Sequence, residues 1–203
     1  MILQSPELPI NQAAENNKAA ILGVLKQLGL TDLSILEIGS GTGQHGVYFC
    51  QHCPNIRWQP TEQNSQLPMT QQWFEAAQKA NINNFLAPIS YSVGNDIIPT
   101  TEANAYYLSN VWHIVQAEER KHLCKELSLH MKPGDKLLSY RPFMRDGMFT
   151  TESNRSFDQY LKAQGYGGLI DIEDISIWSD GKLTNTQIVD MPANNFFLVY
   201  TVS

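Results

Sequence analysis

From Asn11 to Leu28 the residues Ala14, Ala19, Ile21, Leu22, Leu25 and Leu28 fall at helical spacing, and Gly29 supplies a stop. Ser34 to Ile38 is a short apolar run that suits a buried strand. Gln44 to Gln51 is helical, with Val47, Tyr48 and Cys50 on one side, and Pro54-Asn55 breaks it. Ile56 to Pro60 is a strand whose end Pro60 blurs. Pro68 to Ala80 predicts a helix through Met69, Trp73 and Ala76 or Ala77. Strands follow at Phe85 to Val93 and at Ala105 to Ser109, the latter rich in aromatic strand formers. Glu118 to Met131 is the clearest amphipathic helix, through Leu123, Leu127 and Met131. After a turn at Pro133-Gly134 come a strand at Lys136 to Tyr140 and helices at Asn154 to Ala163 and Ile170 to Trp178. Leu183 to Val189 and Phe196 to Val202 are two closing strands, joined through Met191-Pro192-Ala193-Asn194-Asn195.

Strands alternating with helices predict a parallel sheet covered on both faces. The last two strands share a short connection and must be antiparallel. The expected fold class is therefore α/β: a Rossmann-like, doubly wound, seven-stranded, mostly parallel sheet with an antiparallel C-terminal hairpin. That is the pattern of the class I methyltransferase fold. No repeat or linker divides the sequence. At 203 residues it reads as one domain, 1–203, with residues 1–30 as an N-terminal helical cap.

Composition narrows the function classes. Hydrophobic residues make up 42% and charged residues 17%, enough apolar material for a packed core. A net charge of −6 disfavours a nucleic-acid or anionic-membrane surface, which needs a cationic face. No run of about eighteen apolar residues offers a membrane span. The N-terminal stretch lacks the basic and apolar regions of a signal peptide. Three cysteines, Cys50, Cys53 and Cys124, argue against a disulfide scaffold and for a reducing, cytoplasmic setting.

The strongest chemical signal is Leu36-Glu37-Ile38-Gly39-Ser40-Gly41-Thr42-Gly43, between a predicted strand and a predicted helix. Glycines there let the backbone turn tightly and approach a ligand. A dinucleotide fingerprint would read G-x-G-x-x-G, with a pyrophosphate on the helix N-terminus. Here the spacing is G-x-G-x-G, with a carboxylate two residues ahead. That carboxylate opposes an anion and suits a cation. S-adenosyl-L-methionine, with its sulfonium and ammonium, fits. A tight turn without a ligand is the simpler alternative. Glu62, beyond the second strand, is placed to accept ribose hydroxyls, or is a solvated loop carboxylate.

With these motifs in view, the chain resembles the DUF938 family of S-adenosylmethionine-dependent methyltransferase-like proteins, which includes the methyltransferase-like 26 proteins. The likeness runs through Ala13-Ala14-Glu15-Asn16-Asn17-Lys18, the glycine motif with Gln44-His45, and Trp58-Gln59-Pro60-Thr61-Glu62. It continues through Asn110-Val111-Trp112-His113-Ile114, Tyr140-Arg141-Pro142-Phe143, Arg145-Asp146-Gly147 and Met191 to Asn195. The resemblance implies the fold and S-adenosyl-L-methionine as cofactor, with S-adenosyl-L-homocysteine as product. It supplies no substrate. Ser92 stands where the family usually has an acid, which in related folds meets the adenine amino group, and Arg141 where it tends to have glycine.

In a parallel sheet the loops leaving the carboxyl edge line the ligand site. The expected cofactor contacts are Glu37, Gly39, Ser40, Gly41, Thr42, Gly43, His45, Glu62, Ser92 and Asn110. His45 touches the cofactor carboxylate or caps its helix. The expected substrate-facing residues are Trp112, Arg141, Phe143, Arg145, Asn194 and Asn195. Arg141 and Arg145 are forks for an anionic group, or partners of Asp146 and Asp158. Asn194 and Asn195 present amides, or tolerate a left-handed turn. Methyl transfer needs chiefly positioning, and a base only for an acceptor that holds its proton tightly. His113 and Tyr140 are the candidate catalytic groups, with a buried, hydrogen-bonded His113 as the alternative.

Cys50-Gln51-His52-Cys53 closes a helix, and no second ligand pair follows at zinc spacing, so it reads as structural and no metal is expected. The sequence thus points to a methyltransferase acting on a small molecule. Two alternatives remain: a non-catalytic module binding S-adenosylmethionine or S-adenosylhomocysteine, and a nicotinamide dehydrogenase. Oligomeric state is not legible.

Overall fold

The computed structural model describes residues 8–202. The expected helical cap of residues 1–30 is described from residue 8 onward, and its first seven residues lie outside the described residues. The elements in chain order are α1 (Gln12–Gln27), β1 (Ser34–Ile38), α2 (Gln44–His52), β2 (Arg57–Glu62), α3 (Leu67–Lys79), β3 (Ile89–Ser90) and β4 (Ala105–Ser109). Then follow α4 (Ala117–His130), β5 (Lys136–Arg141), β6 (Met144–Arg145), β7 (Met148–Phe149), α5 (Glu152–Ala163) and α6 (Asp174–Trp178). The chain closes with β8 (Leu183–Met191), a 3₁₀ turn at Pro192–Asn194 and β9 (Asn195–Val202).

Seven strands form one sheet in the order β3-β2-β1-β4-β5-β9-β8. β1 runs parallel to β2 and β4, whereas β9 runs antiparallel to β5 and β8. This is the class I methyltransferase fold expected from the alternation of elements. β1 has the near-continuous apolar character of a strand covered on both faces. The carboxylate of Glu37 is its one buried charge, and it takes the Trp58 indole N–H at 2.8 Å.

The chain forms two compact units. The first holds the described residues up to 92, with 101–107; the second holds 93–100 and 108–202. In the first unit α1 starts at Asn11, whose side chain accepts the Ala13 and Ala14 amides and so satisfies two otherwise orphaned helix donors. Trp58, Phe49, Phe85 and Tyr107 form its aromatic core, and Gly46 leaves room for two of those rings. In the second unit α4 starts with a capping box between Gln116 and Glu119. α5 starts at Thr151, which accepts the Asn154 amide at 3.1 Å. The β8–β9 hairpin carries an irregularity between Asn185 and Gln187.

Three expectations need correction. The strand expected at Phe85 to Val93 is reduced to Ile89–Ser90 and a lone bridge from Phe85 to Trp58. Pro88, with no amide hydrogen to donate, lies in the gap. The helix expected from Ile170 begins only at Asp174, because Asp171 first makes a turn closed by its amide and the Asp174 carboxylate. The hairpin of β6 and β7 was not expected, although Asp146-Gly147 is a strong signal for one. Both residues have positive φ, as a type I′ turn requires.

Candidate functional site

The glycine turn of the first unit begins where β1 ends. Gly39, Gly41 and Gly43 all have positive φ, so each occupies backbone space that side chains avoid. The turn is tied to β2 twice. The Ser40 amide donates to the Thr61 carbonyl at 2.9 Å, and the Gly41 amide donates to Glu62 Oε2 at 2.6 Å. Thr70 of α3 donates its hydroxyl to the Gly41 carbonyl at 2.8 Å. A Cβ built on Gly41 would meet no atom within 4 Å, so the turn presents bare backbone to open space there. Gly43 is different: its Cβ would meet Thr70 at 3.2 Å, and it serves packing.

Two carboxylates flank the turn. Glu37 is buried, and burial pushes its pKa up to about 7, helped by the charge of Glu62 and opposed by the Trp58 hydrogen bond. Glu62 is also raised by burial, with the Gly41 and Gln63 amides pulling against that shift. A buried carboxylate near neutrality is costly when ionised and unpaired. A cation brought to it would recover that energy.

A polar network runs from the turn to α1. Gln44 Oε1 accepts the Thr42 hydroxyl at 2.9 Å and the Asn11 amide at 2.5 Å, while its Nε2 donates to Glu15 at 3.0 Å. His45 neither caps α2 nor faces solvent. Its Nε2 bonds Asn17 Oδ1 at 2.6 Å and its Nδ1 lies 3.4 Å from the Tyr107 hydroxyl. Burial lowers its pKa to about 4, so it stays neutral. Ser92 follows β3 and is half-buried. Gln44 and Asn17 were not singled out beforehand, although both stand inside the quoted motifs.

In the second unit Asn110 has φ of 59° and its amide donates to the Tyr140 carbonyl at 3.0 Å. Trp112 is wholly buried and gives its indole N–H to Ser139 at 2.9 Å. Phe143 is wholly buried too, its ring centroid 5.1 Å from the Arg141 guanidinium. These two expected substrate contacts are therefore core residues, and Tyr140 is also buried. Arg145 is exposed and makes no ion pair among the described residues. Asn194 and Asn195 serve the hairpin turn. Ala193 and Asn194 have positive φ, and the Asn195 amide group donates to the Pro192 and Ala193 carbonyls.

His113 is buried against Phe157, and burial with the charges of Arg141 and Arg120 drives its pKa down to about 3. Such an imidazole cannot hold a proton near neutral pH, so it is a poor general base. Arg120 was missed by sequence reasoning. It shares the apolar face of α4 with Leu123 and Leu127, and a charge on that stripe was the available signal. Among the described residues no cluster could hold a metal ion, and no helix is long and apolar enough to cross a membrane.

Residues 8–202 match the family described as Protein of unknown function (DUF938). The chain belongs to this family. The fold is shared with solved methyltransferases of low sequence identity. The human N-acetylserotonin methyltransferase in complex with SAM is 14% identical, with a TM-score of 0.75 over 94% of this chain and 53% of the other. An O-methyltransferase family protein from Burkholderia thailandensis is 14% identical, with a TM-score of 0.73 over 95% of this chain and 58% of that one. The O-methyltransferase family 2 protein from Planctomyces limnophilus, in complex with apigenin, is 16% identical, with a TM-score of 0.72 over 84% and 51%. This DUF938 chain thus spans a little over half the length of these structures.

Proposed function

We propose that this DUF938 protein is an S-adenosyl-L-methionine-dependent methyltransferase acting on a small molecule. The observation that carries the reading is the Gly39–Gly43 turn, held by Glu62 and backed by the buried Glu37. Bare backbone at Gly41 admits a nucleoside at close range. Glu37 supplies negative potential for a cationic ligand, and Glu62 can accept the hydroxyls of a ribose if its bond to Gly41 is shared or exchanged. S-adenosylmethionine bound there supplies an electrophilic methyl group. What the chain contributes is placement, since in-line transfer to a nucleophile gains most from orientation. The neighbours solved with SAM and with apigenin support a nucleoside donor and a small-molecule acceptor.

Proton transfer by His113 is not part of the proposal, because the neutral imidazole is too weakly basic. The acceptor is instead one that needs no strong base, an already ionised oxygen or a free amine. The same observation favours a second reading, a module that binds the nucleoside without turnover. The low share of cationic residues and the net charge of −6 support a small molecule over nucleic acid. The three buried cysteines support a reducing, cytoplasmic setting.

Titration calorimetry with S-adenosylmethionine and S-adenosylhomocysteine tests the cofactor. Saturable binding of both is expected, and no heat at millimolar ligand would overturn the proposal. Binding without methyl transfer to any of a broad metabolite panel would favour the second reading.

A further inference from the structure

The second unit buries two arginines that no carboxylate pairs directly. Arg141 is fully buried and Arg120 is 4% exposed. Among the described residues no carboxylate lies within ion-pair distance of either. Asp158 and Asp174 act on the cluster from a distance and both are committed elsewhere: Asp158, which acts on both arginines, accepts the Leu169 amide at 2.8 Å and pairs with Lys162 at 2.8 Å, and Asp174, which acts on Arg120, accepts the Asp171 amide at 2.8 Å. The guanidiniums converge instead on one atom. Arg120 Nη2 donates to the Gly168 carbonyl at 2.8 Å and Arg141 Nη2 to the same oxygen at 3.4 Å. Arg141 Nε reaches the Pro142 carbonyl at 2.9 Å.

Three buried nitrogens are left over. Arg120 Nε, Arg141 Nη1 and His113 Nδ1 have no hydrogen-bond partner among the described residues. A guanidinium does not escape burial by losing its proton, so an unsatisfied buried pair is expensive. His113 belongs to the same group: its carbonyl takes the Gly168 amide at 3.2 Å, and both arginine charges act on its ring. A buried unsatisfied donor in a folded protein calls for a reason, and a ligand is one.

The cover over this cluster is thin. It is the segment Gln164-Gly165-Tyr166-Gly167-Gly168, exposed at Gln164, Gly165 and Tyr166. Gly165 and Gly168 hold positive φ, and a Cβ on Gly167 would sit 2.0 Å from Arg120 Nη2. Only glycine lets this strap lie flat on the guanidinium. Its Gly168 carbonyl is a partial negative charge shared by two full positive ones, a weak stand-in for an anion.

We propose that Arg120, Arg141 and His113 form an oxyanion site beneath the glycine strap 164–168, which takes the carboxylate or phosphate of the methyl acceptor when the strap lifts. Planar guanidiniums grip such a group through paired N–H bonds, and His113 Nδ1 adds a third donor in the tautomer that protonates it. The inference deepens the methyltransferase reading by naming the substrate class: a small molecule bearing a compact oxyanion.

The test follows thermal unfolding of the full chain with inorganic phosphate and, separately, benzoate, against chloride at matched ionic strength. At about ten times its Kd a bound anion raises the unfolding midpoint by roughly 3–6 °C in a domain of this size. That rise should grow with the logarithm of anion concentration above the Kd in the wild type and vanish in Arg141→Met and Arg120→Met. Without anion, either variant should melt at or above the wild-type temperature, because it removes an unbalanced buried charge. A purely structural arginine would lower it. Arg141→Lys, which keeps the charge and loses the fork, should retain only part of the effect and serves if the methionine variants do not fold. A response to phosphate alone or benzoate alone supports the site and names its ligand. No rise over chloride in the wild type, or an equal rise in the variants, overturns it. S-adenosylmethionine binding is measured on the same samples. Donor binding without anion binding sinks only this inference; anion binding without donor binding sinks only the methyltransferase reading.

Discussion

The Glu62 carboxylate accepts the Gly41 amide at 2.6 Å, so the acid at the end of β2 holds the turn that follows β1. A single side chain thereby sets the backbone of the glycine turn and keeps a second oxygen, which meets the Gln63 amide at 2.8 Å. Glu62→Gln keeps the size and removes the charge. Hydrogen bonds to a charged group are worth about 1.5–3 kcal/mol, so S-adenosylmethionine affinity should fall roughly 10- to 100-fold. Calorimetry checks this, and an unchanged Kd would remove Glu62 from the binding site.

Two nearby glycines, Gly41 and Gly46, should behave oppositely. Gly41 has φ of +57° and no neighbour for a Cβ, so Gly41→Val strains the turn and projects into the space assigned to the nucleoside. It should cripple donor binding and leave the circular dichroism spectrum folded. Gly46 faces the core, where a Cβ would come 2.5 Å from both Phe85 and Trp58 rings. Gly46→Ala should destabilise by about 1–3 kcal/mol in urea unfolding, the usual cost of overpacking. A Gly41→Val protein that binds normally would show that the turn does not face the ligand.

The contrast shows what was legible beforehand. The glycine spacing and its flanking strand and helix identified the turn, because local backbone demands are written locally. β1, α2, β4 and the terminal hairpin were readable for the same reason. Trp112 and Phe143, expected to face a substrate, are wholly buried, because loops at a sheet edge are not all open: Ser139 gives the indole a buried partner that no spacing rule announces. Arg120 and Arg141 meet only through the Gly168 carbonyl, 48 and 27 residues away in sequence, and that encounter is tertiary. The lowered pKa of His113 comes first from its burial and then from these same two charges.

Acid should weaken the fold through its buried imidazoles. The pKa of His45 falls from 6.5 to about 4 and that of His113 to about 3, so both remain unprotonated in the folded state while the unfolded chain takes up protons below pH 6.5. Their contribution is intact above that pH and is lost as pH falls toward 4. Between pH 7 and pH 5 each removes roughly 2 kcal/mol of stability. Glu37 works the other way, since its raised pKa favours the folded state as pH falls. The check is therefore a difference. His45→Gln should lose about 2 kcal/mol less than the wild type over that interval in urea unfolding. Equal losses would mean that His45 titrates normally.

Glu37 should also give up a proton when the methyl donor binds. Its folded pKa of about 7 lies above the ordinary 4.5 because burial penalises the carboxylate. A cationic donor stabilises the ionised form and draws the pKa down, so binding at pH 7 should release about half a proton. Affinity should then rise with pH up to about 7 and level off above it. Calorimetry in two buffers of different ionisation enthalpy, PIPES and Tris, reads the released proton directly as a difference in apparent binding heat. Glu37→Gln should abolish that difference and flatten the pH profile while leaving the Trp58 indole with an amide oxygen to bond. An equal heat in both buffers for the wild type would mean that Glu37 keeps its protonation state and takes no electrostatic part in holding the donor.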